Sequence, residues 1–152
     1  PSTPSTLAKK TGQTTSYANY DDGYYQKGAT PNYTRDSDIV QDHLTGLMWQ
    51  DDATPSAMTW TDAGAYCSAL TLGGYTDWRL PTRAELQGIA DYGRYNPAID
   101  PTFQNTVSNV YWSSTTYANG TGNAWYLHFY VGYQYNYTKT GSFYVRCVRA
   151  GQ

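Results

Sequence analysis

Thiol or hydroxyl nucleophiles need a base within hydrogen-bond reach, and this 152-residue chain holds two histidines, His43 and His128, and two cysteines, Cys67 and Cys147. That inventory is enough for a Cys/His pair. Both cysteines, however, fall at core-facing positions of their elements, where apolar surroundings leave a thiol inert, and His43 falls in a turn. The acidic residues Asp21-Asp22, Asp36, Asp38 and Asp51-Asp52 are the right type for calcium, yet none has the alternating Asp/Asn-then-Gly spacing of a calcium loop, so they read as solvated loops. No Gly-rich phosphate loop, nucleophile elbow or zinc-type spacing occurs. The expectation is no catalytic residue, no metal and no cofactor. Asn-x-Ser/Thr triplets at Asn32, Asn119 and Asn136 matter only in a host that glycosylates.

The side chains that stand out suit binding rather than reaction. Tyr126, His128, Tyr130, Tyr133, Tyr135 and Tyr137 carry large amphipathic rings that lose little rotamer entropy on docking, as in antibody paratopes. From Pro101 to Val145 the only charged residue is Lys139. A partner docking there meets little charge to desolvate.

Composition narrows the classes further. With 17 tyrosines, 16% aromatic and 14% charged residues, the chain is too aromatic for disorder. Its net charge of −2, with no basic cluster, argues against nucleic acid. No apolar run is long enough to span a bilayer. The chain starts at Pro1 without a charged-then-apolar leader, as expected of a mature form or of a piece of a longer chain. Low charge and paired cysteine number suit an oxidising, extracellular compartment.

The elements that position these side chains are legible in part. Residues 1–16 are Ser/Thr/Pro-rich and read as a linker or tail, with one domain over 17–152. Asp38–Gln41 and Leu47–Gln50 flank DHLTG and predict a hairpin. Thr59 with Asp62, and Thr82 with Glu85, are capping spacings. They predict one helix through Ala63, Cys67 and Leu70, ended by Gly73-Gly74, and a second through Leu86, Ile89 and Ala90. Trp125, Leu127, Phe129 and Val131 alternate with Tyr126, His128 and Tyr130, which predicts a strand with its apolar set facing the core. Phe143, Val145 and Cys147 are the expected inward set of one final strand.

The runs KTGQTTSYANYDDGYYQKG (10–28), LTGLMWQ (44–50), MTWTDAGAYCSALTLGGYTDWRLPTRAEL (58–86), YWSSTTYA (111–118), NAWY (123–126) and YVRCVR (144–149) resemble the Lcl C-terminal domain family, named for the end domain of a collagen-like bacterial adhesin. The resemblance implies an α+β chain with the C-type lectin-like fold of the formylglycine-generating-enzyme group, two helices packed on small antiparallel sheets, and a Cys67–Cys147 disulfide. Many similar proteins are variable proteins of diversity-generating retroelements, in which Asn codons are rewritten at their adenines. By that resemblance the variable, ligand-binding positions are His128, Tyr130, Val131, Tyr133, Tyr135, Asn136, Tyr137, Gly141, Ser142 and Phe143, with Tyr126 as a further candidate. The residue types at all ten positions are reachable from an Asn codon, whereas Gln134 and Lys139 are not and read as fixed scaffold.

The chain lacks the Glu-Pro-Asn or Gln-Pro-Asp triplet and later Trp-Asn-Asp of calcium-dependent lectins, and it lacks cysteines beyond the pair. The expected function is therefore a non-enzymatic display module on a cell or virion surface, binding a protein or glycan on another cell or virus. The alternatives are an oligomeric glycan-binding adhesin domain and, last, a formylglycine-generating oxidase.

Overall fold

The computed structural model describes residues 29–53 and 55–151; the tail at 1–16, the tyrosines at 17–25 and Asp21-Asp22 lie outside them. Period-two runs separated by turn residues give β1 (Tyr33–Asp36), β2 (Ile39–Asp42) and β3 (Leu47–Gln50), an antiparallel meander. The sheet is completed beside β3 by β9 (Val148–Ala150). The β2–β3 turn is the one DHLTG announces: Gly46 takes φ +76°, a region that L side chains avoid.

A second, five-stranded sheet has the order β4-β8-β5-β6-β7, with β4 at Ala57–Met58, β5 at Val110–Thr116, β6 at Asn123–His128, β7 at Tyr133–Thr138 and β8 at Phe143–Tyr144. Helix α1 (Trp60–Ala69) starts at Thr59, whose hydroxyl accepts from the Asp62 N–H, and α2 (Arg83–Gln87) starts at Thr82 with a full capping box. The chain is thus α+β, with two helices and small sheets among the described residues.

Three expectations about elements need correction. Helix α2 stops at Gln87, with Gly88 as its C-cap still in the right-handed region; Ile89 is buried after the helix, and Ala90 bridges Ile99. Helix α1 has already ended at Ala69 before the glycines, and Gly73 and Gly74, both at positive φ, close a tight turn between Leu72 and Tyr75. The single final strand is two: β8 joins the five-stranded sheet and β9 the four-stranded one. Val145, Arg146 and Cys147, all buried, carry the chain between them.

Two apolar clusters fill the interior. One gathers Val40, Trp49, Leu86, Tyr111, Leu127 and Phe129 with their neighbours; the other gathers Ala63, Cys67, Trp78, Trp112, Ala124 and Cys147. The disulfide implied by the family resemblance is present: Cys67 on α1 bonds Cys147 across 80 positions, with Cα atoms 5.5 Å apart. Closing so long a loop stabilises the fold by about 4 kcal/mol on the chain-entropy account.

Asp51, read from sequence as solvated, is fully buried. Its carboxylate accepts from Arg35, from Arg146 Nη2 at 2.9 Å, and from the N–H groups of Gln104 at 2.7 Å and Asn105 at 3.1 Å. Arg146 is buried too, and its Nη2 also donates to Thr106 Oγ1 at 2.9 Å. Burial pulls the Arg146 pKa down, against the pull of its anionic neighbours. The network ties the β8–β9 connection to the loop before β5.

Candidate binding surface

Cross-strand register decides which side chains share a face. In β5, β6 and β7, Val110, His128 and Tyr133 form one rung, Trp112, Tyr126 and Tyr135 the next, and Ala124 faces Tyr137. Near β5 this face is closed, since Trp112 and Ala124 are buried in the cluster around Cys67. Towards β7 it opens: Tyr133 and Tyr137 are about half exposed and Tyr135 is 62% exposed. The opposite face carries Tyr111, Leu127 and Gln134 and packs inward with α2.

The rings on the open face touch in sequence. His128 lies 5.2 Å from Tyr133 and 6.4 Å from Tyr130, Tyr133 lies 6.3 Å from Tyr126, Tyr126 lies 5.5 Å from Phe143, and Phe143 lies 5.3 Å from Tyr137. Phe143 also sits 4.7 Å from the buried Trp112, which roots the chain of rings in the core. Lys139 and Thr140 form the turn after β7, closed by the Gly141 N–H on Thr138 O at 2.9 Å, and Ser142 follows it. A Cβ at Gly141 would stand 2.8 Å from Tyr137 Cδ1, so the bare glycine lets that ring lie down.

Two expected positions fall elsewhere. Asn136 alternates onto the opposite face, where its Oδ1 accepts from Asn123 Nδ2 at 2.9 Å. Val131, expected in the core as part of a continuing strand, is 44% exposed, because β6 ends at His128 and Phe129–Gly132 turn. Gln134 and Lys139, expected as scaffold, are tied to neighbouring elements: Gln134 Oε1 accepts from Arg83 Nε, and Lys139 Nζ donates to Thr116 Oγ1 at 3.0 Å and lies 4.1 Å from the Trp60 ring centre.

Two tyrosines join this end of the sheet without having been expected there. The Asn96 N–H donates to Tyr130 O at 2.7 Å and the Ala98 N–H to Phe129 O at 2.6 Å, which straps the 91–98 loop to the β6–β7 turn. Tyr92 lies against Gly132, where a Cβ would stand 2.8 Å from its ring, and Tyr95 is 74% exposed. Only their type, in the turn-rich run DYGRYNP, signals them in sequence.

Residues 38–149 match the Lcl C-terminal domain family, a span from just before β2 into β9 that contains every residue of the aromatic face. The chain belongs to the Lcl C-terminal domain family. The N-terminal run at 10–28, which also resembles the family, lies outside the matched residues. No curated protein matches the chain.

In this Lcl C-terminal domain the aromatic face is formally uncharged. The Tyr126 hydroxyl is pushed upward by burial and then by Tyr133, so it stays protonated and can both donate and accept. Burial holds His128 below its ordinary value. Its Nδ1 accepts from the Tyr130 N–H at 3.1 Å, which an imidazolium, having no acceptor, cannot do. The unfolded imidazole takes its proton first, near the ordinary value of about 6.5, so the stability this group lends is complete above that pH and is lost as pH falls through the folded value. An NMR titration should place the His128 midpoint below 6.5, with the Tyr130 amide resonance moving at that midpoint. A Tyr130 amide that ignores the titration would count against the bond.

Proposed function

We propose that this domain is a ligand-binding display module, built on a C-type lectin-like scaffold, that holds a protein or glycan on another cell or virus through the aromatic face of β6 and β7. The observation that carries this reading is the unbroken run of rings from Tyr130 to Tyr137, uncharged, open on one side and rooted in the core on the other. Rigid amphipathic rings give contact area at small entropic cost. Binding rather than catalysis is supported by the engagement of both cysteines in one disulfide, which also suits an extracellular, cell-surface or virion-surface location.

Diversification by a retroelement is part of the proposal. Its support is that Gln134 and Lys139, the positions unreachable from Asn codons, are tied to Arg83, Thr116 and Trp60, whereas Tyr133, Tyr135 and Tyr137 point outward. The DNA beside the gene tests it: a near-copy of the 3′ coding segment differing only at adenines, next to a reverse transcriptase, is the expected finding. Absence of both removes the retroelement part and leaves the binding part.

Affinity from buried rings and hydroxyl hydrogen bonds responds little to salt. For a partner captured from cells, Kd should change less than about threefold between about 50 and 500 mM NaCl, where a charge-driven interface would weaken far more. A second reading, which rests on the resemblance to the adhesin for which the family is named, is an oligomeric glycan-binding adhesin domain. Strong hits on a glycan array together with a trimeric mass would select it.

A further inference from the structure

We infer that β7 is a self-pairing edge, at which two copies of this domain join antiparallel so that their sheets run on as one. Strand β7 is the last strand of its sheet, and no strand among the described residues lies on its outer side. Soluble proteins guard such an edge with Lys, Pro, a bulge or a covering segment, because its free N–H and C=O groups template another strand. Tyr133–Thr138 has no charge and no proline, and its register against β6 runs unbroken from Asn123 to His128. The Lys139 N–H donates inward to Gly122 O. By the two-residue alternation of an antiparallel ladder, the main-chain groups of Tyr133, Tyr135 and Tyr137 point inward as well, and those of Gln134 and Asn136 point out, while the Thr138 C=O is already taken by the Gly141 N–H at 2.9 Å.

A second copy fits this edge better than an arbitrary strand because the edge complements itself. With a two-fold axis at Tyr135, perpendicular to the sheet, Gln134 pairs with Asn136 of the second copy, and Tyr133 stands opposite Tyr137 of that copy. Each Gln134–Asn136 pair exchanges two main-chain hydrogen bonds, and aromatic residues opposite one another are favourable cross-strand partners. No like charges meet. Gln134 keeps a buried Nε2 with no acceptor in the single chain, and this register sets the side-chain amide of Asn136 from the second copy across from it. Because the axis is perpendicular to the sheet, both aromatic faces look the same way and become one double-width surface. The pairing uses the edge and leaves the faces free.

One six-residue edge is a small contact, so the association is weak and concentration-dependent. Sedimentation equilibrium on ligand-free protein should show the mass rising from 17.0 kDa towards twice that between about 1 μM and about 1 mM. Tyr135→Lys, which sets two ammonium groups across the axis, should hold the protein monomeric at the top of that range. Tyr135→Cys places each thiol opposite its own copy, with Cα atoms at about 4.5 to 5.5 Å, and should give a covalent dimer on mild oxidation. Tyr133→Cys alone should not, whereas Tyr133→Cys with Tyr137→Cys should. A monomer at every concentration, or equal cross-linking of Tyr133→Cys and Tyr135→Cys, overturns the inference. Neither result bears on the ligand-binding reading, since no ligand is present.

Discussion

Replacing Tyr133, Tyr135 and Tyr137 together by Ala removes binding and leaves the chain folded, at a bounded cost in stability. The three side chains stand about half exposed or more on an edge strand, so the folded chain draws little from them. Cross-strand aromatic pairs are worth about 0.2 to 1 kcal/mol each, so the triple change costs at most about 2 to 3 kcal/mol. At about 2 to 4 °C per kcal/mol for a chain of this size, Tm falls by at most about 12 °C. Aromatic anchors at the centre of an interface are worth about 2 kcal/mol or more apiece, so affinity drops by at least about a thousandfold. Phe143→Ala is the useful contrast, because that ring touches the buried Trp112 and its loss opens a gap against the core. Titration calorimetry beside a thermal melt separates the cases. Unchanged affinity in the triple variant would put the ligand elsewhere, and a collapse of Tm like that of Phe143→Ala would make these residues structural.

The largest effect on stability is expected at Asp51. Asp51→Ala leaves the buried Arg146 guanidinium without its carboxylate and strips the acceptor from the Gln104 and Asn105 N–H groups. Breaking a buried pair by removing one partner costs about 3 to 5 kcal/mol, which corresponds to a Tm loss of about 6 to 20 °C. Adding Arg146→Met to Asp51→Ala should recover part of that loss, since the uncompensated charge goes with the arginine. A double variant no more stable than the single one would show that the charge is not what Asp51 holds in place. The readout is chemical denaturation, with the midpoint compared at constant slope.

Local signals were legible and non-local ones were not. Thr59 and Thr82 mark their helices because a cap is a contact within one turn, and Gly46 marks its hairpin because the turn itself demands a positive φ. The alternation through Ala124–His128 and Tyr133–Tyr137 showed which side chains share a face before any register was known. Followed strictly, it would also have sent Asn136 to the face where it lies. Asp51 was misread because its partners come from Arg35, Gln104, Asn105 and Arg146, and the last of these is 95 positions away. The final strand was read as one because nothing local tells Phe143 and Val148 that they belong to different sheets. Tyr92 and Tyr95 were missed because their place depends on a loop docking against Phe129 and Tyr130.

The passage from β8 to β9 has a mechanical meaning. A pull applied at the aromatic face is felt first by β6 and β7, and it crosses to the four-stranded sheet through Val145, Arg146 and Cys147. A covalent bond to α1 and the grip of Asp51 hold that passage, so a load crossing it meets a disulfide and a buried ion pair before it reaches the second sheet. Strand β7, by contrast, is paired along one side only among the described residues, and its far end is held by the Lys139 N–H on Gly122 O and by the Trp60 N–H on Lys139 O.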